Sequence, residues 1–218
     1  ETSWAISSNC TGIEMMKTKY GSACKAVPGY DVKIIKSDQT LAKPNEMGDI
    51  VVKLPLPPGT FPTLWNADDR YKENYMSNYD GYYQTYDAGH IDEDGYVKIV
   101  DRLKDMIAVG GFKVFPSQVE SVLYHHPAVK EALVIGVPDH YRGEQPKAFV
   151  TLNDGHEIDG PALKEWVNPQ LGKHERVCVV EVRLNLPKTL VGKLSRKELV
   201  AEERAKAQAA ALEAGTTA

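Results

Sequence analysis

Short apolar runs alternate with polar turns through the first hundred residues, and this pattern predicts strands joined by loops. The β-rich runs at residues 30–35 and 49–54 predict two strands. The proline-rich segment that follows predicts a loop, because proline donates no backbone hydrogen bond to a sheet. Residues 68–75 predict a short helix, and residues 82–100 predict a hairpin that turns at a glycine.

After about residue 102 the pattern changes to helices that alternate with strands. Pro116 suits the first turn of a helix and Pro127 ends it, because proline fits the first turn but interrupts the interior. The last helix is predicted to begin after Lys193, and residues 204–218, which are rich in Ala and Glu, are predicted to fray or be disordered. Three further strands are predicted at about 129–137, 147–152 and 177–183, and a further helix at 160–167.

The change of pattern divides the chain into two units with a boundary at residues 102–105. The first unit is β-rich, and the second is a compact α+β domain of roughly 100 residues. We therefore predict an α+β fold class for the chain as a whole.

Composition narrows the classes of function. With 42% hydrophobic and 26% charged residues the chain resembles an ordinary globular protein. No apolar run approaches the roughly 20 residues that cross a bilayer, so no membrane span is predicted. A net charge of -4 argues against a general nucleic-acid surface. Three widely spaced cysteines (Cys10, Cys24 and Cys178) argue against a disulfide framework and favour the reducing cytoplasm.

Two stretches carry groups suited to a nucleotide. Asp87 ends a predicted strand, where a carboxylate can accept two hydrogen bonds from a ribose diol, although this stretch by itself favours the simpler interpretation of a turn residue that caps its own backbone. Further along, Arg102 and Lys113 offer cationic donors for hydroxyl or phosphate groups. Gly110 and Gly111 lie between them and allow another chain or a ligand to approach the backbone closely.

A third stretch, PKTLVGK at residues 187–193, places glycine and lysine before a helix. A nucleotide-binding P-loop is excluded, because its first glycine is replaced by Pro187 and the residue after Lys193 is a leucine. We interpret the stretch as a mobile loop that presents one lysine, suited to stabilising developing negative charge.

Taken in order, the patterns YxTxDxGxxDxDGY, DRLKDMIxVGGFKVxPxxVE and PKTxxGKxxRxxL resemble the adenylate-forming superfamily, and in particular the carboxy-terminal part of AMP-forming acyl-CoA synthetases. The resemblance covers nearly the whole chain. It implies that residues 1–101 end a large amino-terminal domain with a distorted-barrel subdomain, and that residues 102–105 form a hinge. Residues 106–203 would form the small mobile carboxy-terminal domain.

The resemblance also implies roles for individual residues. Asp87 and Arg102 match the residues that contact the adenosine ribose, and Lys104 matches the hinge position. Gly111 matches the glycine that lines the pantetheine tunnel of CoA. Lys193 matches the catalytic lysine between carboxylate and phosphate, which is also a target of reversible acylation by a protein acetyltransferase and a deacylase. Glu1 matches a Mg²⁺-binding glutamate.

The implied enzyme is a ligase of fatty acid metabolism that uses ATP, CoA and Mg²⁺ to convert a carboxylic acid into its CoA thioester. The phosphate loop and most of the acyl pocket of the family are not in these residues, so we expect them to act only with the amino-terminal portion of the synthetase. Two alternatives stay open: an adenylation domain that serves a carrier protein, and a non-catalytic module for protein interaction or regulation.

Some positions depart from the family pattern. Residue 86 is Tyr where many members have Gly, and Cys24 stands where a glycine is typical. Residues 50–65 resemble acetyl- and propionyl-CoA synthetases, whereas residues 105–147 resemble medium-chain, long-chain or aryl ligases. A natural intermediate subfamily and an engineered hybrid both agree with this mixture.

Overall fold

The computed structural model describes residues 4–216, and the side chains among them as far as residue 209. The chain divides into two compact units, Glu1–Lys104 and Asp105–Ala218. Within the described residues no helix is both long and apolar enough to cross a membrane.

The first unit is built on a four-stranded antiparallel sheet in the order β3-β4-β5-β6. The predicted strands and the hairpin over residues 82–100 are confirmed, with β5 and β6 as its arms. The described strands form an open sheet, with β3 and β6 at its edges, and not a closed barrel. The elements of this unit are β1 (Ser7–Ser8), β2 (Lys25–Ala26), β3 (Val32–Ile35), β4 (Gly48–Lys53), α1 (Asp68–Met76), β5 (Tyr82–Ile91) and β6 (Val97–Arg102).

Helix α1 packs on β5 through aromatic rings. Tyr75 stacks on Tyr83 with ring centroids 5.3 Å apart, and Tyr71 lies 6.4 Å from the same ring. Tyr71 and Tyr83 are both buried, and aromatic pairs in these geometries add to the stabilisation from buried area. The packing therefore fixes α1 beside the amino-terminal half of β5, directly before Asp87.

The second unit is a five-stranded sheet with helices on both faces, and its predicted strands and helices are confirmed. The strand order is β11-β10-β7-β8, and β9 pairs with β10 along nearly its whole length. The β7–β8 hairpin was not among the predicted strands. The elements are β7 (Ile107–Val109), β8 (Phe112–Val114), α2 (Pro116–Leu123), β9 (Val129–Asp139), β10 (Gly143–Leu152), α3 (Gly160–Val167), β11 (Val179–Val182) and α4 (Arg196–Thr216).

Alternate residues of β9 and β10 enter two separate cores, because successive strand side chains point to opposite faces. Val134 and Val150 pack with α2 and α3 in one core. Leu133 and Phe149 pack in the other core with Leu199, which is fully buried on α4. Helix α4 is thus held on the sheet face opposite to α2 and α3.

The sequence predicts that residues 204–218 fray or are disordered, whereas α4 continues to Thr216 and so includes residues 204–216 of this tail. Low amphipathic character led to the prediction, but Ala, Glu and Lys are strong helix formers and extend a helix once its first turns are packed. Two ion pairs from Lys206 Nζ, 2.6 Å from Glu202 Oε1 and 2.8 Å from Glu203 Oε1, support this extension.

Candidate functional site

The first unit contains a cavity of about 480 Å³ beside the first half and the middle of β5. Three residues singled out from the sequence, Asp87, Arg102 and Lys104, line this cavity together. The opposite part of the lining is aromatic, which offers a flat apolar surface for a ring system. The other lining residues are Ile6, Tyr75, Tyr83, Thr85 and Tyr86.

Asp87 and Arg102 are cross-strand partners on β5 and β6. Arg102 Nε lies 3.6 Å from Asp87 Oδ1, and the arginine side chain is 64% exposed whereas the aspartate side chain is 25% exposed. A carboxylate accepts hydrogen bonds from two neighbouring hydroxyls, and a guanidinium carries five donors. The pair can therefore bind a diol at the carboxylate while the arginine reaches an adjacent oxygen of the same ligand.

Backbone geometry places this pair. Thr85 Oγ1 donates to the Ile50 carbonyl at 2.7 Å and accepts a hydrogen bond from the Asp87 N–H at 3.2 Å. The threonine therefore connects β4 to the backbone of Asp87. A register shift follows between Ala88 and Gly89. A Cβ at Gly89 would lie 2.1 Å from the Lys98 carbonyl oxygen, so only glycine permits the close approach of β5 and β6 at this bulge.

Tyr86 has a left-handed backbone, with φ at +63°, immediately before Asp87. Glycine would suit this position better than tyrosine, since a Cβ is unfavourable in the left-handed region. Here the hydroxyl of Tyr86 donates to the Asn74 carbonyl, and its ring meets Tyr75 edge-on at 6.0 Å. These contacts with α1 offset the cost of the left-handed backbone.

A matched pair of variants separates the backbone cost from the lost contacts. Tyr86→Gly and Tyr86→Ala both lose the ring and the hydroxyl, but only alanine keeps a Cβ in the left-handed region. We expect the glycine variant to be more stable than the alanine variant by roughly 1–2 kcal/mol, reversing the usual order within a strand. Urea unfolding of both variants measures this difference, and an alanine variant of equal or greater stability would contradict it.

In the second unit Gly110 and Gly111 join β7 to β8 as a two-residue hairpin loop, with φ at +57° and +86°. Two-residue hairpin loops favour the type I′ turn, which needs a positive φ at both central residues. The backbone of this turn is therefore by itself a reason for two consecutive glycines. No atom lies within 4 Å of a Cβ built at Gly111, which leaves open space over this turn. Lys113 follows on β8 and is exposed.

The loop that presents Lys193 is a hairpin closed by backbone hydrogen bonds. Lys188 and Leu194 form an antiparallel bridge. The Thr189 N–H donates to the Lys193 carbonyl at 2.7 Å, and the Lys193 N–H donates to Thr189 Oγ1 at 3.2 Å. Gly192 turns the chain with φ at +79°. The hairpin therefore fixes the backbone of Lys193 while the side chain stays exposed.

The predicted site residues fall into two groups. Asp87, Arg102 and Lys104 share the cavity of the first unit, whereas Gly111, Lys113 and Lys193 lie on two hairpins of the second unit. Glu1 lies outside the described residues, and no group of three or more His, Cys, Asp or Glu able to hold a metal occurs in the described part of the chain. Binding of Mg²⁺ thus stays a prediction from the resemblance.

Sequence reasoning did not find two contacts near these hairpins. Phe112, beside Gly111, stacks on His174 with ring centroids 3.7 Å apart. Arg196, three residues after Lys193, binds Glu120 through both carboxylate oxygens. Both pairs join segments far apart in the sequence, and no local pattern indicates them.

Residues 118–193 match the family model of the AMP-binding enzyme C-terminal domain. The short-chain acyl-CoA synthetase family member 3 of Rattus norvegicus, a mitochondrial protein, is 36% identical over 210 residues, which are 92% of this chain and 30% of the relative. The long-chain-fatty-acid–CoA ligase of Bacillus subtilis is 40% identical over 189 residues, 86% of this chain and 32% of the relative. The chain thus spans about a third of the length of these relatives.

The crystal structure of ATP-bound MatB from Rhodopseudomonas palustris is similar to this chain with a TM-score of 0.75 and 31% identity, over 84% of this chain and 35% of that one. This similarity, together with the family match over residues 118–193, places the fold among those of the adenylate-forming superfamily. The chain contains the AMP-binding enzyme C-terminal domain of this superfamily, and the relatives that it matches are named acyl-CoA synthetases and CoA ligases.

Proposed function

We propose that the complete enzyme activates a carboxylic acid with ATP and transfers the acyl group to CoA. In the first step a carboxylate oxygen attacks the α-phosphorus, and the bond to pyrophosphate breaks. In the second step the CoA thiol attacks the acyl carbon, loses its proton and displaces AMP. The observation that carries the proposal is the Asp87–Arg102 pair, which faces a cavity large enough for a nucleoside.

Each group has one task in this scheme. Asp87 accepts the two ribose hydroxyls, Arg102 donates to an adjacent ligand oxygen, and the tyrosines beside them offer their rings to the base. Lys193 brings an exposed ammonium on a rigid hairpin to the charge that develops around the α-phosphate.

The remaining site residues serve the second step and the nucleotide phosphates. Gly111 leaves space at its turn for the pantetheine arm of CoA, and Lys113 on the same hairpin offers a donor to the nucleotide. Lys104 is the residue around which the second unit turns between the two steps. Glu1 would hold Mg²⁺.

The phosphate loop and the acyl pocket belong to the amino-terminal portion of the enzyme, which is therefore the required partner of these residues. Relatives that are named for short-chain and for long-chain acids match at similar identity, so the chain length of the acid is decided in that portion. Three unpaired cysteines among the described residues agree with a cytoplasmic enzyme.

Reversible acylation of Lys193 by an acetyltransferase and a deacylase would switch the first step off, because acetylation removes the charge on which the step depends. The exposed side chain on a protruding hairpin is accessible to such enzymes. Mass spectrometry of protein from cells that lack deacylase activity tests this, and a lysine that is never acylated there would contradict it.

The function is tested on the complete synthetase by carboxylate-dependent exchange of pyrophosphate into ATP, with acids of increasing chain length. We expect exchange with one class of acid, and AMP binding in calorimetry that weakens about 10- to 100-fold in Asp87→Ala, which loses charge-assisted hydrogen bonds. Asp94→Ala, at the turn of the same hairpin, is the matched control with unchanged binding. Absence of exchange with every acid, and of AMP binding, would favour a non-catalytic module.

A further inference from the structure

Arg196 begins α4 and directs its whole guanidinium group into the second unit. Its Nη2 lies 2.7 and 2.8 Å from the two carboxylate oxygens of Glu120 on α2. Its Nε donates to the Val134 carbonyl at 3.1 Å, and its Nη1 lies 3.4 Å from Asp105 Oδ2. One side chain thus joins α4, α2, β9 and the residue directly after Lys104.

Glu120 completes the arrangement, because its Oε1 also accepts the Val134 N–H at 2.8 Å. Strand β9 pairs only with β10 among the described strands, so its other edge has backbone groups that need partners. Glu120 and Arg196 satisfy the N–H and the carbonyl of Val134 at that edge. The pair therefore holds α4 in one register against β9, since a shift of either side chain leaves buried backbone groups unpaired.

The position of the start of α4 also determines the position of Lys193, because few residues separate them. Only Leu194 and Ser195 separate Lys193 from Arg196, and the Ser195 N–H donates to the Pro187 carbonyl at 2.9 Å. Leu194 packs against the core on the α4 face. The hairpin is thus bound to the start of α4, and α4 is bound at that point by Arg196.

We propose that Arg196 and Glu120 are positioning residues that set Lys193 for the adenylation step. The proposal rests on the proposed function of Lys193. The side chains of Arg196 and Glu120 are only 21% and 12% exposed, so their pairing is shielded from solvent. Through Asp105, the same guanidinium also binds the segment that follows the hinge residue, and the lysine hairpin moves together with that segment.

The test compares both half-reactions of the complete synthetase in Arg196→Met. We expect adenylation to fall about 10- to 100-fold, because a small displacement of a catalytic group is enough for such a loss. Thioester formation from supplied acyl-AMP should stay within about twofold, since Lys193 has no part in it. Glu120→Gln, which keeps an oxygen for the Val134 N–H and so preserves folding, should show the same selective loss to a smaller degree.

Arg183→Met is the matched control. Arg183 is also 21% exposed and also binds a glutamate, Glu202, through two nitrogens, at 2.6 and 2.8 Å. This bonding, together with Lys206, lowers the pKa of the Glu202 carboxyl to about 2. We expect Arg183→Met to lower the melting temperature similarly and to leave the ratio of the two half-reactions unchanged.

A double variant provides the decisive readout. If Arg196 acts through Lys193, Arg196→Met should slow adenylation in the wild-type background and have no further effect in the Lys193→Ala background. An equal effect in both backgrounds, or an equal loss of both half-reactions, would overturn the proposal. Unchanged adenylation in Lys193→Ala would instead refute the proposed role of Lys193, and absence of wild-type adenylation would refute the proposed function.

Discussion

Replacement of Lys193 by alanine is expected to slow adenylation by about 10²- to 10³-fold, the cost of removing one preorganised donor at developing charge. Thioester formation from supplied acyl-AMP should change little. The first transition state gathers negative charge around the α-phosphate, and an ammonium on a fixed hairpin stabilises that charge more than it stabilises bound ATP. The loss should therefore appear in kcat for adenylation more than in the KM for ATP.

The same hairpin offers a matched control in Lys188. Lys188 lies on the opposite strand of the hairpin from Lys193. Its Nζ is 2.6 Å from Glu131 Oε1, so its charge is already paired. Lys188→Ala should leave both half-reactions close to wild type. Pyrophosphate exchange and release of thioester from supplied acyl-AMP measure the two steps separately. Equal loss of both steps in Lys193→Ala would show that the lysine has no selective role in the first.

The second large effect is expected at the boundary between the units. Lys104→Pro should slow thioester formation roughly tenfold or more while adenylation is retained, if the second unit must turn about this residue between the steps. Lys104 lies in the short 3-10 helix Leu103–Asp105. Proline fixes φ near the value of that helix, so the observed conformation accepts the ring while rotation about this bond is blocked.

Lys104→Ala is the control, because it removes the same side chain and keeps the backbone free to rotate. We expect its thioester formation to remain close to wild type. Retained adenylation in Lys104→Pro would show that the variant is folded. If the proline variant transferred acyl groups to CoA as fast as the alanine variant, rotation at residue 104 would not be part of the reaction.

The sequence by itself determined the elements of both units with few errors. The apolar spacing in α2 and α3 and the alternation in β9 and β10 place residues on one face of a helix or a strand, and such local periods follow from backbone geometry alone. The hairpin that carries Asp87 could also be predicted, since the glycine-containing turn between its strands is a local feature of the sequence. Asp87 was therefore assigned to the right element, whereas Gly111 and Lys113 lie on the β7–β8 hairpin, which the sequence pattern did not predict.

Only the tertiary structure decided which of these residues meet. Asp87 and Arg102 become partners through a register that includes a bulge, and the bulge depends on the approach of β5 to β6 at Gly89. The local propensity of tyrosine opposes the left-handed backbone of Tyr86, and contacts with α1 stabilise that conformation.

The support of Lys193 is the clearest case. Lys193 can be recognised in the sequence. Its support cannot, because Arg196 binds Glu120, 76 residues away in the chain, and Val134, 62 residues away. The helix that follows is extended by packing and ion pairs that a low amphipathic pattern does not reveal. Contacts over such separations are set by the packing of whole elements, so the sequence indicates the proposed catalytic lysine and only the fold determines how that lysine is held.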